Sequence, residues 1–246
     1  MTLLPLFLLL QSVAPAAEAE ARFERCADLA ISDPERGESD ASTWRLSGGG
    51  FLAQQCLGMS HATRRNYTAA AAAFEEAARG AELAKDARGA NYWAQAGNAW
   101  LAASDAARAR RALDAALASG TLSGLALGEA HLDRARALVA GGDLAGARAS
   151  IDHALETAAT DPLAWLLSAT LARRTGDLPR AKADIGHALE RAADDAAVQL
   201  EAGNIAALDG DEAGARGGWN KAVSLAPDTP IGASARAALA QFDAGK

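Results

Sequence analysis

Aromatic side chains are scarce in this chain: five Trp, five Phe and two Tyr make up 5% of its 246 residues, and proline occurs only seven times. Strand-favouring residues are sparse too, which points away from a sheet-based fold. With Cys26 and Cys56 as its two cysteines, the chain has no C-x-x-C redox motif and no thiolate zinc site. Nor is there an excess of basic charge. Lys and Arg number 24 against 31 Asp and Glu, a formal charge of −7. The pairs Arg64-Arg65, Arg110-Arg111 and Arg173-Arg174 lie scattered among carboxylates and read as solvated helix surface, so no nucleic-acid partner is expected. A phosphate loop is missing as well: Gly48-Gly49-Gly50 lacks the Lys-Ser/Thr that would follow one, and reads as a hinge. What the chain has in abundance is alanine, the residue with the best helix propensity and one that lets helices approach closely, so packed helices are predicted.

The apolar run Leu3–Leu10 is too short to span a bilayer. Followed by small residues and Ala17-Glu18-Ala19, it matches a secretory signal over residues 1–19, with cleavage near Ala19 or Ala16. The segment before the run carries no Lys or Arg. A periplasmic or secreted location is therefore the expectation and a cytoplasmic one the alternative. No Cys stands where a lipid anchor would attach, because Cys26 follows Phe-Glu-Arg. In an oxidising compartment Cys26 and Cys56 can form one disulfide; the alternative is two buried thiols.

Self-similarity organises the rest. GGDLAGARASIDHALE at 141–156 returns as TGDLPRAKADIGHALE at 175–190, with ten of sixteen positions identical and an offset of 34 residues. Carried outward, this frame gives five repeats: 51–84, 90–123, 128–161, 162–195 and 196–229. The eighth position is small (Gly58, Gly97, Ala135, Ala169, Gly203), as are the twentieth and twenty-seventh. The twenty-fourth is large: Phe74, Leu113, Ile151, Ile185 and Trp219. Small residues let antiparallel helices meet, and the large one fills the space between them. The dipeptides Gly142-Asp143, Gly176-Asp177 and Gly210-Asp211 read as turns in which Gly ends one helix and Asp caps the next. No single hairpin can bury its own apolar face, so the repeats must stack.

Trp93-x2-Ala96-Gly97-x2-Trp100, Leu57-Gly58 and Ala215-x3-Trp219-x2-Ala222-x4-Pro227 resemble the tetratricopeptide repeat (TPR) pattern, W-x2-L-G-x2-Y followed by A-x3-F-x2-A and P. Individual repeats depart from it: Trp at the fourth position stands only at Trp93 and Trp165, and the terminal Pro only at Pro227. The resemblance implies an all-α fold, a right-handed superhelical solenoid of helix-turn-helix hairpins. Residues 230–246 would supply a capping helix and tail. Residues 20–50 would form an N-terminal hairpin of two helices, Arg22–Ile31 and Glu35–Leu46, readable as a degenerate repeat, with Trp44 turned inward and a Cys26–Cys56 bond tying it to the first clear repeat.

His153 and His187 both fall at the twenty-sixth position and are expected about 10 Å or more apart on stacked hairpins, too far to share a zinc ion. His131, at a fourth position, and His61, at an eleventh, read as packed side chains. Ser60-His61 points two side chains in different directions on a helix, and the acidic clusters sit where helices begin. No enzyme activity, cofactor or metal is therefore expected. The resemblance implies instead a protein or peptide partner held in the concave groove lined by first helices. Its groove positions nominate Gln55, Asn91, Asn98, Leu132, Arg136, Leu166, Arg173, Arg174, Leu200 and Asn204. Leu132, Leu166 and Leu200 recur at the fifth position as an apolar stripe, while Asn98 and Asn204 offer amides to a peptide backbone. The Lys/Asn/Arg set with which some family members clamp a C-terminal carboxylate is not reproduced. The function expected is a non-enzymatic interaction scaffold of the cell envelope. The alternative is a structural or self-associating subunit that uses its outer helices, and the oligomeric state is left open.

Overall fold

A computed structural model describes residues 13–244, so the apolar run Leu3–Leu10 lies outside the described residues. Those residues form thirteen helices and no strand. They fall into two compact units divided after Leu122.

The N-terminal unit contains α1 (Val13–Ser32), α2 (Pro34–Leu46), α3 (Gly50–Thr63), α4 (Tyr67–Leu83), α5 (Gly89–Ala102) and α6 (Ala106–Ala118). The first helix starts well before the expected Arg22. Its opening is rich in Ala and Glu, which propagate a helix, and Ala19 packs against the group formed by Trp44, Leu52 and Ala53. Pro34 opens α2 at a position where a missing N–H costs nothing, and Asp33 accepts from the Arg36 N–H at 3.3 Å. Cys26 on α1 and Cys56 on α3 are joined by a disulfide, with Cα atoms 6.0 Å apart and both residues fully buried. Closing a loop of this length stabilises by about 2–4 kcal/mol. It fastens the terminal helix to the first hairpin that carries the repeat pattern.

The C-terminal unit contains α7 (Gly124–Ala140), α8 (Leu144–Thr157), α9 (Pro162–Arg174), α10 (Leu178–Arg191), α11 (Ala196–Asp209), α12 (Glu212–Leu225) and α13 (Pro230–Ala244). Residues 124–127, which the repeat frame leaves between hairpins, are the first turn of α7. In all three hairpins the turn is the one read from sequence. Gly142, Gly176 and Gly210 have φ of 82°, 81° and 81°. Asp143, Asp177 and Asp211 then accept from the N–H of Gly146, Arg180 and Gly214. The N-terminal unit reaches positive φ at two such turns without glycine, Arg65 and Ser104 taking φ of 60° and 61°; Asp105 then caps α6, whereas Asn66 makes no side-chain cap to α4.

Within the hairpins the small eighth position receives the large twenty-fourth. A Cβ added to Gly58 would fall 2.6 Å from the Phe74 ring, and one on Gly203 would fall 2.5 Å from Trp219 Cδ1. Leu113 occupies the same place over Gly97. Ala135 with Ile151, and Ala169 with Ile185, share core clusters in the two intervening hairpins. Each buried large side chain contributes about 1.5–3 kcal/mol, and truncating one such as Phe74 to Ala costs about 3–5 kcal/mol. The final helix, α13, covers the last hairpin: Ala235 joins Ala215, Trp219 and Ala222, and Phe242 meets Trp219 edge-on at 5.4 Å between ring centroids.

Candidate functional site

In the C-terminal unit, residues 9 to 13 of each repeat lie toward the end of a first helix, just before the Gly-Asp turn. Between α7 and α9 they border an opening of about 200 Å³. Its floor is apolar: Ala135 and Val139 from α7, Ile151 from α8, and Leu167 and Leu171 from α9. At its rim stand Thr170, Arg136 and Arg174, and no carboxylate lines it. A second opening, of about 680 Å³, lies where α9, α11, α12 and α13 meet. It is bordered by Arg173, Asn204, Leu208, Trp219 and Phe242.

A chain of polar contacts fixes the wall of this second opening. Arg173 grips the buried Glu201 with two hydrogen bonds, Nε to Oε1 at 2.6 Å and Nη2 to Oε2 at 3.2 Å. Asn204 Nδ2 donates to Glu201 Oε2 at 3.2 Å, and its Oδ1 accepts from Trp219 Nε1 at 3.0 Å. A buried carboxylate needs this pairing, since an uncompensated charge in such a place costs several kcal/mol. Arg173 and Asn204 thus both help to hold this wall and border the opening.

The other nominated residues divide. Arg136 and Arg174 line the first opening, and Asn98 lines a smaller one in the N-terminal unit, with Tyr67, Phe74 and Gln95 beside it. Gln55 is half-buried and Asn91 exposed, and neither borders these three openings. The three leucines of the expected apolar stripe differ in exposure. Leu132 is 2% exposed and packs among Ala154, Ala164, Leu155 and Leu167. Leu166 is packed against the cluster around Ile185, and Leu200 against the one around Trp219. At the fifth position Leu132 is thus covered by the following hairpin, whereas Leu166 and Leu200 stay partly exposed. Missed from sequence were Val139, Thr170 and Leu171; the first two stand at the twelfth and ninth positions, and the repeat frame alone would have found them.

The histidines acquire a specific role. Ring centroids of His131 and His153 lie 5.2 Å apart, and those of Trp165 and His187 lie 4.3 Å apart. In both pairs the fourth position stacks on the twenty-sixth. The first repeat makes the same pairing with different chemistry, Gln54 Nε2 donating to Glu76 at 2.5 Å. His153 and His187 recur because each covers the ring at the fourth position of its own hairpin. Among the described residues no group of three or more His, Cys, Asp or Glu is placed to hold a metal ion, and no helix is long and apolar enough to cross a membrane.

Hairpins with these turns and this small-on-large packing define the TPR fold, and comparison with solved structures gives the same class. PilF of Pseudomonas aeruginosa superposes with a TM-score of 0.72 at 14% identity, covering 93% of this chain and 100% of PilF. PilW, a widely conserved type IV pilus biogenesis factor, gives 0.71 at 16% identity over 87% of this chain and 96% of PilW. YrrB, a TPR protein with an unusual peptide-binding site, gives 0.57 at 18% identity over 79% and 96%. At these identities the likeness is one of fold. No family model and no curated protein matches the chain.

Proposed function

We propose that this chain is a non-enzymatic interaction scaffold of the cell envelope, receiving an extended segment of a partner protein on the first-helix face of its C-terminal unit. The observation that carries the reading is the opening between α7 and α9, an apolar floor left uncovered beside polar rim residues. Interaction sites characteristically combine such a floor with a few polar groups that fix orientation. The peptide-binding site named for YrrB supports a partner of this kind. The Cys26–Cys56 disulfide, the apolar N-terminal run and the likeness to a pilus biogenesis factor support export.

A photoactivatable residue tests the proposal. Placed at Thr170 on the first-helix face, it is expected to give a discrete crosslinked partner in the native cell. Placed at the exposed Ala183 on α10, it should give none. Adducts from Ala183 alone would favour assembly through the outer helices and overturn the groove assignment.

A further inference from the structure

The α7–α9 opening carries more information than its position. In a chain of net charge −7, its two ionisable lining residues are both arginines. Their states differ. Arg136 Nη1 is engaged by Asp133 at 2.9 Å, one helical turn away. Neighbouring Arg173 is neutralised by Glu201, whereas Arg174, exposed at the end of α9, makes no ion pair or side-chain hydrogen bond among the described residues. An uncompensated guanidinium thus stands at the rim of an apolar pocket, with the Thr170 hydroxyl beside it. Size narrows the occupant further. At about 200 Å³ the opening is smaller than small-molecule sites, typically about 300–1,000 Å³, and suits a single side chain.

Resting on the groove reading above, we infer that the pocket takes an extended peptide segment of a partner in which one apolar side chain is followed or preceded closely by Asp or Glu. The apolar side chain seats on Ile151, Leu167 and Leu171. The carboxylate pairs with Arg174, whose planar fork suits a two-point grip. Such a pair is half-exposed, so it selects among partners more than it tightens binding, and it weakens as salt is raised.

Selection of a displayed random heptapeptide library on the full chain tests this, with affinities of the enriched peptides measured by fluorescence polarisation. Enrichment of an apolar residue within two positions of an acidic one is expected. Arg174→Glu should weaken those peptides by about tenfold, and exchanging the peptide's acidic residue for Lys should restore binding to the variant. Arg174 is exposed and unpaired, so the variant is expected to keep its helical circular dichroism. Enriched peptides without acidic bias, or an affinity unchanged in Arg174→Glu, would overturn the acidic preference and leave the groove reading standing. Enrichment of no peptide would overturn both. Self-association of the chain that Arg174→Glu abolishes would place a second copy in the pocket and overturn the partner assignment.

Discussion

His131 shows how a residue's surroundings become a measurable property. Burial first, then the neighbouring His153 and Arg134, hold its imidazole below the ordinary value of 6.5, and Glu156 opposes them. The groups acting on it are thus Arg134 on its own helix and His153 and Glu156 on α8. Because the folded pKa is depressed, the unfolded chain takes up this proton more readily. The stability contribution is complete above about pH 6.5 and is lost as the pH falls through the folded value. Thermal unfolding at pH 7.5 and pH 5.0 is expected to show a smaller acid-induced drop in Tm for His131→Phe than for the parent chain. Equal drops would mean that the stack does not titrate in this way. Glu201 illustrates the opposite kind of residue, one that sequence hides. It stands at a sixth position, where Asp133 and Leu167 stand in the two preceding repeats, and nothing in that pattern marks it for burial beneath Arg173. Reading Arg173 as a ligand-facing cation follows from its place in the frame. The structure shows that the cation's partner is already inside the chain.

At the scale of the hairpin, the architecture was largely legible because it rests on steric alternation. Gly58 under Phe74 and Gly203 under Trp219 are local pairs at fixed spacing, so a repeated small-large pattern reports them directly. The burial of Leu132 was not legible for a related reason. A fixed position tells which way Leu132 points relative to its own helix, but its burial is decided by Ala164 and Leu167 of the following hairpin. The turns give a prediction. Gly142, Gly176 and Gly210 take positive φ without penalty, whereas Ser104 takes φ of 61° with a Cβ present. Ser104→Gly is therefore expected to stabilise the N-terminal unit by about 1 kcal/mol, offset in part by the greater freedom of glycine in the unfolded chain. Chemical denaturation reads this as a rise in midpoint at constant slope. A fall in midpoint would show that the Ser104 side chain contributes more than its backbone strain costs.

For the molecule as a whole, composition bounded the class early. An alanine-rich chain with few aromatics points to packed helices, and the TPR fold is what the helices form. Sequence did not reveal which stretch of first-helix surface stays open, because that depends on how closely successive hairpins approach. The openings bounded by Arg136 and Arg174, and by Asn204 and Phe242, are products of that packing. The central claim is that a partner lies along the first helices of the C-terminal unit and not along the second ones. Hydrogen–deuterium exchange of the full chain with its captured partner, set against the free chain, tests this most directly. The account predicts slowed exchange in α7 and α9. Slowed exchange in α8 and α10, with α7 and α9 unchanged, would contradict it.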